Sequence, residues 1–276
     1  MATGPELGSK SKDVVWYRPA IPVLSEPVQD LLENYSHYAH DEVITRVLEI
    51  RDQMWDIFPW PCVGCFTFLD LSLSQHDDYA SILDRLKHGA IFLDVGCCIA
   101  QDLRKLVHDG ALAKNLFGLE PQADFLSLAT HFFRDGDRLP AEQFIHSDFM
   151  DRGNVRLREL EGKVDIIQLG LVLHLWDWDE QIEACKRVVE LLRSESESVI
   201  VGQTVGNLAG MKAPIVPGKI GFHHNVETFM KMWREVGRAT GTKWDVQANL
   251  DEESGPDAIR WGDARWKVLA FTIQRL

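Results

Sequence analysis

The chain has 276 residues, is 45% hydrophobic and 26% charged, and carries a formal net charge of −13. This is enough for one large soluble domain with a substantial core, and the acidity argues against a nucleic-acid backbone as partner, since phosphate contacts need clustered Lys and Arg. No apolar run approaches the ~20 residues needed to span a membrane, and residues 1–12 lack the apolar core of a signal peptide. The five cysteines, Cys62, Cys65, Cys97, Cys98 and Cys185, have no regular spacing. Reduced thiols in a cytoplasmic setting are therefore expected.

In chain order, residues 1–12 read as a disordered lead. Between Glu26 and Phe58 apolar residues recur at helical spacing, giving two helices joined near Tyr38-Ala39-His40 and ended by Phe58-Pro59-Trp60-Pro61. With a connector and a further helix near Tyr79–Leu86, residues 13–84 form an expected helical cap. From residue 85 to 276 strands and helices alternate. Strands are expected at 91–95, 115–119, 143–146, 164–169 and 198–203, with helices near 99–109, 122–133, 151–160 and 178–193. The fifth strand leads into a long loop, a helix at 225–238 and two closing strands at 243–248 and 265–273. Such alternation implies an α/β fold, a parallel sheet covered by helices on both faces.

Ligands of open α/β sheets lie beyond the carboxyl ends of the strands, so the strand tips carry the functional argument. The first tip reads Leu93-Asp94-Val95-Gly96-Cys97-Cys98-Ile99-Ala100. Gly96 permits a sharp turn against a ligand. The full G-x-G-x-x-G is absent, so a ligand without phosphates fits better than a dinucleotide. Glu120 ends the second strand, where its carboxylate could accept two ribose hydroxyls or simply favour the dipole of the next helix. After the third strand stands His146-Ser147-Asp148-Phe149, in which Asp148 could equally cap a short helix. The fourth strand runs into Leu173-His174-Leu175-Trp176; His174 is open to two readings, a general base or a core histidine. The loop Pro214–His224 holds Phe222 and His223, which could line an apolar pocket, while His224 or Asn225 could cap the following helix. Cys62-Val63-Gly64-Cys65 follows a helical stretch and lacks a second ligand pair, which argues against both redox and zinc chemistry. No metal is expected. The nine tryptophans, among them Trp16, Trp55, Trp60, Trp176 and Trp178, suit a bulky apolar substrate under the cap.

The strand–Asp94-x-Gly96–helix pattern resembles the first motif of S-adenosylmethionine (SAM)-dependent methyltransferases with the Rossmann-like fold, and Leu173-His174-Leu175-Trp176 resembles the L-H-x-W element of small-molecule O-methyltransferases. Gln101-Asp102-Leu103-Arg104-Lys105-Leu106, Phe117-Gly118, Phe132-Phe133-Arg134-Asp135 and the tail from Phe229 to Trp244 are similar to one subgroup, fungal secondary-metabolite methyltransferases of meroterpenoid pathways. The resemblance implies a seven-stranded sheet in the order 3-2-1-4-5-7-6 with strand seven antiparallel. It implies SAM as cofactor, surrounded by Asp94, Gly96, Cys97, Glu120, Asp148, Phe149 and Leu169. In it Asp148 binds the adenine amino group, Phe149 stacks on the ring and His174 is the catalytic base. The acceptor, a small apolar metabolite methylated at a carboxyl or hydroxyl group, is expected near Tyr17, Trp176, Phe222 and His223. Some proteins of this fold have exchanged methyl transfer for cyclisation or isomerisation, which is the alternative activity. A homodimer is left open.

Overall fold

The computed structural model describes residues 8–21, 23–194, 197–216, 219–251 and 266–276. Residues 1–7 of the expected lead, Pro217-Gly218 of the expected loop and residue 265 of the last expected strand lie outside this range.

The N-terminal segment begins with α1 (Glu26–Asp30), which continues as a π-helical turn over Leu31–Tyr35, followed by α2 (Val43–Ile57), the short α3 (Pro61–Gly64) and α4 (Tyr79–Lys87). Part of the expected disordered lead is anchored instead, because the indole of Trp55 donates to the carbonyl of Lys10 at 3.1 Å.

Then come β1 (Phe92–Val95), α5 (Gln101–His108), β2 (Leu116–Glu120), α6 (Ala123–Phe133), β3 (Phe144–His146), α7 (Val155–Glu159) and β4 (Ile166–Gly170). They are followed by α8 (Trp178–Leu191), β5 (Val199–Asn207), β6 (Met211–Val216), β7 (Lys219–His223), α9 (Val226–Thr240), β8 (Trp244–Leu250) and β9 (Trp266–Arg275). The sheet order is β3-β2-β1-β4-β5-β9-β8. Strands β1 to β5 pair in parallel, whereas β9 lies antiparallel between β5 and β8. This is the expected 3-2-1-4-5-7-6 order with one insertion. The segment after β5 is a bulged antiparallel hairpin, β6–β7, forming its own two-stranded sheet, and not a loop. Its two prolines and two glycines read as loop signals, and no clean alternation betrays the strands.

Central strands are apolar on both faces because helices cover both. Leu93, Ile167 and Ile200 pack with Val188 and Trp233 of α8 and α9, while Phe92, Ile166 and Val201 pack with Leu86 and Leu103 of α4 and α5. Asp177 and Glu180 form a capping box that starts α8, and Asn225 with Thr228 does the same for α9. The N-terminal helices form a further cluster in which Leu31, Val47 and Trp55 join Phe125, Phe132 and Phe133 of α6. Polar anchors fix this contact: Tyr38 Oη donates to Phe132 O at 2.7 Å, and Tyr35 Oη to Asp135 Oδ2 at 2.8 Å. Asp135 also pairs with Arg104 at 2.9 Å, both side chains being fully buried.

Candidate active site

A cavity of about 340 Å³ opens at the carboxyl ends of β1, β2 and β4, within the size range of small-molecule sites. Its floor is the β1–α5 turn. Gly96 adopts φ +72°, and a side chain there would meet Val172 Cγ1 at 2.3 Å, so both conformation and space demand glycine. Cys98 and Ala100 are also left-handed, at +55° and +53°; such a run of strained residues around one turn is typical of ligand-binding backbone.

The floor is rich in buried acids. Glu120 accepts from the backbone N–H groups of Cys98 and Gln122, both at 3.0 Å. Burial nevertheless outweighs these bonds and pushes its carboxyl up to about 7. Asp94 is raised well above the usual carboxylate range by burial and then by the neighbouring Asp102 and Glu120. Asp102 is pushed up to about 6, again by burial, although Gln168, Leu73 and Ser72 all donate to it.

The opposite wall is built differently. His174 stands in a 3-10 turn after β4, with its backbone N–H donating to Thr204 Oγ1 at 3.1 Å. Burial and the nearby His223 pull its pKa down to about 3, so the ring is neutral at physiological pH. The rings of His174 and His223 lie 6.0 Å apart. The hairpin carrying His223 is strapped to this segment. Phe222 N donates to Trp176 O at 2.9 Å, and buried Gln181 donates to the carbonyls of Trp176 and Phe222, both at 2.9 Å. Gly221 lies so close that a Cβ would sit 2.1 Å from His174 O. Lys219, at the start of β7, is the one lysine or arginine among the described residues lining the cavity.

Of the residues singled out from sequence, Asp94, Gly96, Cys97, Glu120, Asp148, Phe149, His174, Trp176 and His223 come together around this cavity. Asp148 does not cap α7: that role belongs to Asn154, whose Oδ1 accepts from Leu157 N at 3.1 Å, while Asp148 Oδ1 accepts from Met150 N at 2.8 Å. Three expected site residues fall elsewhere. Leu169 points into the core, because alternation along β4 gives the cavity to Gln168 and Gly170. Phe222 is turned outward by the same alternation on β7 and packs edge-on against Trp178 at 5.1 Å. Tyr17 packs on α2, with its ring 4.9 Å from Trp55 and its hydroxyl donating to Asp52 at 3.3 Å.

Sequence reasoning missed Gln101, Asp102, Gln168, Lys219 and Trp266, all of which line the cavity. Only Gln168 gave a signal, as a lone amide in an otherwise apolar strand. Cys62 lines the cavity from α3, together with Trp60 and Phe68.

A seven-stranded sheet of this order, with an acid-floored cavity at the first strand tip, defines a Rossmann-like methyltransferase architecture. Residues 16–69 match the family described as the meroterpenoid methyltransferase N-terminal domain. The chain is 37% identical to the O-methyltransferase atr3 of Stereocaulon alpinum over 275 residues, covering 99% of this chain and 79% of that protein. It is 40% identical over 250 residues to the O-methyltransferase phiE of a fungal species, covering 88% and 81%. The chain belongs to this family of fungal meroterpenoid-type methyltransferases. Among solved structures, the 1,6-didemethyltoxoflavin-N1-methyltransferase of Burkholderia thailandensis superposes with a TM-score of 0.51 at 14% identity, over 93% of each chain. At that identity the likeness is one of fold.

Proposed function

We propose that this protein transfers a methyl group from SAM to an oxygen of a small, largely apolar secondary metabolite, and that this oxygen belongs to a carboxylate. SAM supplies a methyl group already activated on a sulfonium, so the protein has only to bind, orient and exclude water.

The acid floor fits such a cofactor. Asp94, Asp102 and Glu120 are buried side by side with no lysine or arginine among the described lining residues next to them, an arrangement that favours a cationic ligand over a phosphorylated one. Glu120 at the tip of β2 would take the ribose hydroxyls. Asp148 and Phe149 beyond β3 would take the adenine. Relatives and neighbours support the reading: two relatives are O-methyltransferases, and the Burkholderia neighbour holds S-adenosylhomocysteine.

The observation that carries the choice of acceptor is the polarity of the opposite wall. A histidine held near pKa 3 is a weak proton acceptor for a hydroxyl whose own value is near ~10. A carboxylate needs no base, being ionised already. Lys219 and the two histidines give it donors, while Trp176, Trp266 and Ile215 enclose an apolar body. In this reading His174 and Lys219 orient the acceptor, and the strapped hairpin keeps water from the reacting oxygen.

The test is a paired comparison of prenylated aromatic carboxylic acids with their decarboxylated phenols as acceptors. Methylation confined to the acids, as esters cleaved by mild alkali, is expected. Alkali-stable ethers formed at comparable rates on the phenols would overturn the carboxylate choice. His174→Ala sharpens it: a fall of ~10²–10⁴-fold in turnover, the range for a lost general base, would assign a hydroxyl acceptor.

A further inference from the structure

Gln168 sits in the middle of β4, between residues that are wholly apolar, and its register partner on β1 is Asp94. A buried amide in a central strand is costly unless both its ends are bonded. One end is: Nε2 donates to Asp102 Oδ2 at 2.9 Å. An ionised carboxylate only accepts, so the NH₂ group must face Asp102 and the orientation of the amide is fixed. The other end, Oε1, is buried and makes no hydrogen bond, although the side chain is only 3% exposed and lines the cavity. Gln101 repeats the arrangement. Its Nε2 donates to the carbonyl of Asp70 at 3.3 Å, its amide is fixed by the same reasoning, and its Oε1 is also buried without a partner.

Two amide oxygens without a donor thus line the cavity beside the acid groups of Asp94 and Asp102, and a bound cation would favour the ionised, accepting form of both acids. Such a set asks for a positively charged group bearing several N–H donors. Among the described residues no three His, Cys, Asp or Glu side chains are grouped as metal ligands, so the set does not resemble a cation cage. Neighbouring strands place Asp148, Glu120, Asp94 and Gln168 in that sequence along the sheet edge. The cofactor of the proposed function has its adenine, ribose and amino-acid portions in the same sequence. Its sulfonium has no N–H, and its adenine amino group is neutral and lies at the opposite end.

We propose that Gln168 recognises the α-ammonium of the cofactor's amino-acid end through Oε1, with Gln101 as a second acceptor and Asp102 as the positioning residue that fixes the Gln168 amide. The inference rests on the SAM reading above. It makes the central sheet itself, through a side chain of β4, the part of the molecule that distinguishes an amino-acid-bearing nucleoside from one lacking the amine.

The experiment is calorimetric binding of two probes, S-adenosylhomocysteine and its deaminated analogue in which hydrogen replaces the ammonium. Wild type and Gln168→Met, which keeps the length and loses the amide, are compared. Wild type should prefer the amine-bearing probe by about 10- to 100-fold, as expected for hydrogen bonds to a charged group. In Gln168→Met most of that preference should vanish, through weaker binding of S-adenosylhomocysteine with the deaminated probe held within about twofold. Equal preference in both proteins would overturn the assignment and leave Oε1 to an ordered water. Should Gln168→Met fail to fold because Asp102 loses its donor, Gln101→Met provides the same comparison, with a smaller loss of preference expected and an unchanged preference counting against the proposal. If wild type binds neither probe, the cofactor reading itself fails, a result separate from the loss of this one contact.

Discussion

Glu120→Gln isolates the electrostatic cost of the acid floor. In the ligand-free protein Glu120 is raised from 4.5 to about 7, chiefly by burial. A span of about 2.5 pH units at about 1.4 kcal/mol each corresponds to about 3.5 kcal/mol, of which about 3 kcal/mol falls between pH 4.5 and 8. Because the folded-state value is the raised one, folding disfavours the ionised form. Below about pH 4.5 the group is protonated in both states and costs nothing; as pH rises through 7 that stability is progressively lost. Glutamine has the same shape and no charge. Its single oxygen can accept from only one of the two N–H donors now served, those of Cys98 and Gln122, a loss independent of pH. Urea unfolding of both proteins from pH 4.5 to 8 should therefore show the variant gaining on wild type by about 3 kcal/mol across the series. The same substitution should weaken S-adenosylhomocysteine by about tenfold or more, since a charged acceptor for the ribose is lost. Parallel stability curves would refute the claim that Glu120 is a strained buried acid kept for a ligand.

Arg104→Met leaves Asp135 charged and buried beneath the N-terminal helices, and should cost about 3–5 kcal/mol in urea unfolding, the range for breaking one side of a buried pair. Gly221→Ala forces a Cβ to 2.1 Å from His174 O; an overpacking cost of about 1–3 kcal/mol should push the hairpin off the His174 segment. Methyl transfer should fall while calorimetry finds S-adenosylhomocysteine binding unchanged, because the floor at β1 and β2 is untouched.

Much of this molecule was legible because strong periodicity and a short motif carry the information. The apolar strand ending at Gly96, the acid at the tip of β2 and the Asp148-Phe149 pair beyond β3 each follow from one position, the carboxyl end of a parallel strand, and the structure gathers them at one cavity. Errors came where function depends on which face of a strand a residue occupies. Leu169 and Phe222 are one position out of phase with their cavity-facing neighbours, and a one-residue error inverts the face. Tyr17 was misplaced for a different reason: nothing local says that Gly64, with room for no more than hydrogen beside Trp16 O and the Trp55 ring, draws the first segment down onto α2. The hairpin was hidden by its prolines and glycines, and with it Lys219. Trp266 becomes a wall of the cavity only because β9 inserts beside β5, a pairing fixed by tertiary contacts.

The most direct test of the account is mass spectrometry of a reaction containing SAM labelled in its methyl group and a prenylated aromatic carboxylic acid as acceptor. The expected product carries the labelled methyl group intact and loses it under mild alkali. A product of unchanged mass, formed without label, would contradict methyl transfer and assign the site to rearrangement of its substrate.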